Sequence, residues 1–577
     1  MTDIDPAARA PGPLDGGGPG ARGRPWLVRH WSPIAALAMA AVLLVVVPLL
    51  ALLRTALEDG AGPLVEAVAT AGPAVAASIW TSLAATVLAL AIGVTFAVLT
   101  ERTDVPGRRG LRLAMLLALI VPGYVAALGW LSAYGPGGLL DDTLGLAGPA
   151  LVGPLGVVVV MGVEAAPIAY LIVVSGLATR AEPDLERAAR ASGAGPLETF
   201  RAITLPLLRP VIAGAGAIAF VLSVTSFGVP AVLGMPAGFT TITTRIYRDL
   251  AFSSDAESFA RAVGLAILLA VGAAIVIAAA DWLLGRRRAQ RSGAFAGPLG
   301  DIGGAAPGPR EAGGRRRLRP RMLATGAVAW LVVALIVVLP LAGLLITALA
   351  RAPGLAPVPA NWTLANFDAV LDARTFRALG NSVVLAAGAA VGVIMLAGLA
   401  VLARRGRAAG LTGGLLGLTF ALPGSTLAVA VLLAYGVALR DTLAIILIAY
   451  LAKFWALGYR PVAAGLDGIP ADSYRAARIS GASAWTTTRT VVLPLLRPMI
   501  VAGGLIVFVF GIHEVTMSSL LYGPGSATLA VVVLNLQQYG DNGLTAALAI
   551  VLTIIVALTA LPLLRRSGIL VRVGWRR

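Results

Sequence analysis

A polar stretch of 29 residues occurs twice in this chain, and few folds can accommodate it. Asp184 to Ile212 reads DLERAARASGAGPLETFRAITLPLLRPVI, and Asp472 to Ile500 reads DSYRAARISGASAWTTTRTVVLPLLRPMI. The copies align without gaps at a constant offset of 288 residues, with 17 of 29 positions identical. Similarity at a fixed period marks a duplicated unit, so the chain reads as two homologous halves. Each copy is a basic island ahead of a long apolar run. Such an island belongs in water beside a membrane.

Composition carries the same message. Of 577 residues, 58% are hydrophobic and only 13% are charged. That balance fits a polytopic membrane protein and not a soluble one. The net charge of +17 would suit nucleic acid, but the arginines gather in short loops between apolar runs. That is a membrane-topology pattern, and no nucleic-acid partner is expected. There is no cysteine, which excludes disulfides and thiolate chemistry. With only His30 and His513, no histidine-based metal site is expected. The single lysine, Lys453, sits in Leu-Ala-Lys-Phe-Trp. A phosphate loop needs Gly-Lys-Ser/Thr, so ATP hydrolysis by that route is excluded and no catalytic residue is assigned.

A spanning helix needs about 20 apolar residues. Residues 1–32, rich in Gly, Pro and Ala with scattered Arg, read as a disordered basic tail. The first half, 33–284, holds runs near Pro33–Leu53, Ser78–Thr100, Leu111–Tyr134, Ala150–Leu177, Leu207–Val229 and Ala262–Leu284. The first run is too long for a signal-peptide core and lacks a cleavage site, so it reads as an uncleaved span. Residues 285–321 form a Gly/Pro/Arg-rich connector. The second half, 322–577, repeats the plan near Met322–Ala350, Asn381–Leu402, Leu411–Val437, Thr442–Ala464, Leu495–Leu520 and Leu544–Leu564. The expected fold is an all-α polytopic membrane protein with about twelve transmembrane helices in two six-helix halves.

Arginine placement sets the orientation. Arg102, Arg108, Arg109 and Arg112 follow the second span, and Arg404, Arg405 and Arg407 follow the eighth. With twelve spans these loops, both islands, the connector and the basic segment Arg565–Arg577 share one side with both termini. The opposite loops carry Glu58, Asp59, Glu66, Asp141, Asp142, Asp255 and Glu257, alongside Arg54, Arg245 and Arg248. The positive-inside rule puts the islands and both termini in the cytoplasm.

Within each island, Asp184–Arg201 and Asp472–Arg489 read as short helices, favoured by paired alanines. Gly193 either ends a helix or admits another backbone. Pro206 marks where the chain turns into the next span. A small-residue surface on a cytoplasmic helix suits docking into a partner's groove, and a basic interfacial helix held on lipid headgroups is the alternative. The same spacing in both copies favours docking.

That spacing resembles the EAA loop of ABC-importer permeases, in which Glu-Ala-Ala is followed by Gly and then Leu-Pro. The matching residues are Ala188, Ala189, Gly193, Leu205 and Pro206, then Ala476, Ala477, Gly481, Leu493 and Pro494. Arg187 and Arg475 replace the motif Glu, with Glu186 one residue earlier in the first copy only. The resemblance implies coupling loops, 184–206 and 472–494, that dock on two copies of an ATPase subunit. It implies that ATP and Mg belong to that subunit, that this chain binds no cofactor, and that an external or periplasmic binding protein delivers substrate to a chain embedded in inner-membrane lipid. Two six-span halves in one polypeptide resemble the fused iron(III)-type permeases. Ser226–Tyr247 (SFGVPAVLGMPAGFTTITTRIY) and its counterpart His513–Val533 (HEVTMSSLLYGPGSATLAVVV) resemble the segment after the fifth span in that group. Iron(III) is therefore the expected substrate, with thiamine, 2-aminoethylphosphonate and polyamines carried by related fused permeases. Ion-coupled secondary transporters also use internal repeats and form the competing class; a non-transporting scaffold is a third.

Ionisable groups inside a span are costly and mark paths or partners. Glu164, Lys453, His513 and Glu514 are the candidates for a translocation path; interhelical hydrogen bonding is the alternative role. The repeat offset sets Glu164 and Lys453 at neighbouring positions, which would let them pair. Glu514 is expected deep in the eleventh span, about 30 Å along it from Pro494 at 1.5 Å per residue.

Overall fold

Among the described residues of the computed structural model, ten helices are long and apolar enough to cross a membrane, and a pair bent by 108° counts as an eleventh if taken as one span. The structure describes residues 35–58, 61–145, 151–179, 183–253, 255–285, 320–402, 419 and 422–566. The basic tail, nearly all of the connector and residues 567–577 lie outside these. Among the described residues there is no strand, only an isolated bridge between Ala350 and Trp362.

In the first half the spans are Ala35–Glu58, Gly72–Arg102, the bent pair, Pro154–Ala178, Phe200–Val224 and Ala256–Ala279. In the second they are Met322–Leu349, Ala373–Val401, Leu443–Asp467, Trp485–Ile512 and Asn542–Pro562. The expected ninth span is represented by the shorter helix Gly424–Leu439; residues 403–418 fall outside the described ones. The third span departs from the sequence reading. It is Arg108–Ala118 followed, after a break at Pro122, by Gly123–Tyr134. The helix Gly424–Leu439 opens on the same Pro-Gly pair, Pro423-Gly424.

The fifth and eleventh spans correct another expectation. The chain does not turn at Pro206. It turns at Gly193, and the helix then runs through five-residue π turns, Phe200–Thr204 and Thr488–Val492, into Leu205-Pro206 and Leu493-Pro494. A proline ring clashes with the preceding turn of a regular helix; one wide turn relieves the clash without breaking the rod. Both spans also end early, at Val224 and Ile512, and short helices follow each break.

Wide turns before proline recur in the first span of each half, at Val42–Val46 before Pro48 and Ala334–Val338 before Pro340. There the amide of Val47 bonds to Val42 O, so Leu43 O faces Pro48, which has no N–H. In the second half Leu335 O faces Pro340 in the same way. Tyrosines from the opposite half complete both carbonyls: Tyr435 Oη donates to Leu43 O, and Tyr134 Oη donates to Leu335 O. The packing agrees, with Val47–Glu58 lying on Gly424–Leu439 and Leu339–Leu349 on Gly123–Tyr134. Each half thus lends its first span to the other.

The largest apolar core crosses the same boundary, joining Tyr124, Phe227 and Tyr247 to Ile512, Val515 and Leu529. Tyr247 and Gln538 hydrogen-bond across it at 3.2 Å. Within each half, a serine on the second span fixes the helix after the break. Ser78 Oγ accepts from Ile242 N at 2.8 Å, and Ser382 Oγ accepts from Leu529 N at 2.9 Å.

Candidate coupling and translocation sites

Each island folds as a short helix, Pro183–Ala191 and Ala471–Ile479. Both end in one pattern. Ala194 N donates to Ala189 O and Gly193 N to Arg190 O; Ala482 N donates to Ala477 O and Gly481 N to Arg478 O. The glycines sit at φ 90° and φ 72°, the left-handed region, with open space where a Cβ would go. Gly193 therefore ends a helix, and no other backbone of this chain approaches it. Arg187 and Arg475, in place of the motif Glu, pair within their own helices to Asp184 and Asp472. These pairs are exposed and contribute little.

The islands differ in how they are held. Glu186 is buried and faces Arg102 at 3.3 Å and Arg190 at 3.6 Å, while Thr204 Oγ1 donates to it at 2.9 Å. Arg102 also donates to Leu177 O at 3.2 Å. The first island's helix is thereby tied to the ends of the second, fourth and fifth spans. At the equivalent positions the second island has Tyr474 and Val492, and none of its helix residues is buried.

The four ionisable span residues are each partly accessible, among buried neighbours such as Ala165, Ala452, Phe454 and Val515. Lys453 lies within electrostatic reach of Glu514. The Glu164 carboxylate lies against Gly123 at the start of Gly123–Tyr134, with no room for a Cβ there. Lys453 Nζ donates to Leu422 O, just before the related helix Gly424–Leu439. The expected Glu164–Lys453 pairing does not form; each residue lies beside the start of a helix that follows a Pro-Gly pair. Glu514 is not inside the eleventh span but just beyond its end. It accepts from Met517 N at 2.9 Å and Ser518 N at 3.1 Å, capping Thr516–Leu521. His513 closes Leu493–Ile512 and stacks 5.7 Å from Phe510. Among the described residues no His, Asp and Glu group could hold a metal ion.

Compared with known proteins, residues 20–289 and 388–570 match the family described as binding-protein-dependent transport system inner membrane component. The chain belongs to that family. A probable ABC transporter permease, y4fN, of Sinorhizobium fredii is 26% identical over 92% of this chain and 94% of its own length. The molybdenum transport system permease ModB of Mycobacterium bovis is 33% identical over 35% of this chain and 75% of its length. The putative 2-aminoethylphosphonate transport system permease PhnV of Salmonella typhi is 32% identical over 44% of this chain and 96% of its length. This permease is thus a multi-pass inner-membrane protein made of two repeated regions. Sequence reading missed two of its features. One is the break of the third span, signalled by Pro122-Gly123 recurring as Pro423-Gly424. The other is the anchoring role of Glu186, signalled by its nearness to Arg102 only once the helices pack.

Proposed function

We propose that this permease is the transmembrane part of an ATP-driven importer, with its islands and both termini in the cytoplasm. Each island receives one ATPase subunit, and ATP with Mg is handled there. An external binding protein delivers substrate at the opposite face. The observation that carries this is the pair of Gly-terminated helices with the same hydrogen-bond pattern, carried outside the spans on two differently anchored loops. Ala188, Ala189, Leu205 and Pro206, with Ala476, Ala477, Leu493 and Pro494, shape the two docking surfaces. ATP binding on the partners biases a two-state transmembrane element. Glu164, Lys453, His513 and Glu514 border the path near the two Pro-Gly breaks. For the substrate, the relatives' names support a molybdenum- or 2-aminoethylphosphonate-type solute, and thiamine through the Brucella abortus permease ThiP. Iron(III) has no such support.

The test is a pull-down of the tagged permease from membranes in mild detergent, read by mass spectrometry. An ATPase with a Gly-Lys-Ser/Thr loop should co-purify, and Gly193→Asp with Gly481→Asp should deplete it without blocking insertion. A non-glycine residue at that φ costs about 1–2 kcal/mol and misshapes the helix end. Absence of any ATPase from the unaltered chain would overturn the proposal in favour of ion-coupled transport.

A further inference from the structure

A cavity of about 840 Å³ opens at the end of the second half away from its island. Arg374, Arg377 and Asn381 line it from the start of the eighth span, Arg440 and Asp441 from the turn before Leu443–Asp467, and Tyr522 from the loop beyond Thr516–Leu521. The helix Leu443–Asp467 separates this cavity from the second island by 25 residues, about 37 Å at 1.5 Å each. Three arginines and one acidic residue, Asp441, are thus among its lining residues. Asp372, two residues before Arg374, is already engaged. Thr375 N donates to it at 2.7 Å, and that bond, with the Arg374 charge, holds its carboxyl below the usual range.

The cavity floor is fixed in advance. Asn381 Nδ2 donates to Gly525 O and Ala527 O, each at 2.9 Å, and Gly523 N donates to Ser526 Oγ at 2.8 Å. Asp441 stands at φ 65° with its carboxylate against Gly523.

The duplication supplies an internal control. Ser78 corresponds to Ser382 and Gly123 to Gly424, offsets of 304 and 301. On those registers Arg374, Arg377, Asn381 and Arg440 fall on Thr70, Pro73, Ala77 and Leu139. The first half builds its related turn, with Gly238 at φ 71° where the second has Gly525 at φ 86°, without any of these groups. The fold does not demand the arginines. Planar guanidinium forks suit bidentate binding of phosphonate or oxyanion groups, and an excess of positive charge in a concavity attracts anions and repels free cations.

We propose that this arginine-lined cavity is an entry site for a small anionic substrate, of the phosphonate or oxyanion class, on the outer face of the permease. The proposal rests on the importer reading for its orientation.

The experiment titrates the full chain in phosphatidylcholine nanodiscs with 2-aminoethylphosphonate, molybdate and, as a cation, thiamine, by calorimetry. An anion should bind and thiamine should not, and binding should weaken with added salt. Arg377→Gln with Arg440→Gln should lower the affinity by about tenfold or more. Arg377→Lys with Arg440→Lys, which keeps the charge and loses the forks, should fall between. No anion binding by the unaltered chain, or equal binding by the glutamine variant, would overturn the proposal. So would a signal arising only when phosphatidylglycerol is present, since the cavity would then hold a lipid headgroup. ATPase pull-down run on the same samples separates the two readings: ATPase retained without anion binding defeats the entry site alone, and ATPase missing from the unaltered chain defeats the importer reading.

Discussion

Glu186 shows what a single residue does here that its neighbours in sequence do not. The recurring motif draws attention to Arg187, yet Arg187 pairs only with Asp184 on an exposed face, while Glu186 turns inward to Arg102, Arg190 and Thr204. Removing its charge leaves Arg102 half-buried opposite a neutral amide. Glu186→Gln should loosen the first coupling helix by about 1.5–3 kcal/mol. Hydrogen exchange should then show faster exchange over residues 183–204 and no change over 471–492. Glu514 allows the opposite comparison. Its carboxylate caps Thr516–Leu521, and a glutamine can still accept there. Glu514→Gln should therefore leave assembly intact and lower substrate uptake into vesicles containing the ATPase; unchanged uptake would remove it from the path. The glycines were legible as special from sequence. Their role was settled only by φ, because spacing alone does not distinguish a helix end from a close approach.

At the scale of elements, the spans were readable because about 20 apolar residues have few other uses in a chain this rich in them. Their interruptions were not. Hydropathy is blind to Pro122, Pro206 and Pro494, of which one breaks a helix and two sit after wide turns that preserve it. The wide turns before Pro48 and Pro340 have a cost that tyrosines from the other half offset. Tyr134→Phe and Tyr435→Phe should each destabilise the bundle by about 0.5–2 kcal/mol, since a carbonyl in an apolar setting then lacks a donor. Thermal unfolding in detergent should show both, and the double variant should add, because the two contacts share no residue. Of the arginines counted against the expected charge bias, Arg245 has a packing partner. Arg245 and Arg261 converge on buried Asp249 at 3.1 Å and 3.0 Å.

For the whole molecule, duplication announced two halves but not their exchange of first spans. Periodicity reports which residues face lipid; it cannot say which helix lies alongside. The exchanged contacts predict that the connector is dispensable for association. Two fragments cut within 286–319 and co-expressed should co-purify as one assembly, whereas removing residues 35–58 from the first should abolish recovery of the second. Co-purification after that deletion would argue that the core around Tyr124, Phe227 and Leu529 suffices.

The exchange also bears on how the protein is made. Translation delivers the first span while its eventual neighbour, Gly424–Leu439, is still several hundred codons away. Until then the segment lacks that neighbour and has only first-half contacts such as those of Leu52 with Ala71 and Ala262. It is the most apolar of the ten full-length spans. Leu443–Asp467, which emerges after most of its neighbours, carries Lys453 and Arg460 and is the least apolar. Its two cations therefore enter after Ala373–Leu402 and Gly424–Leu439, helices against which it packs.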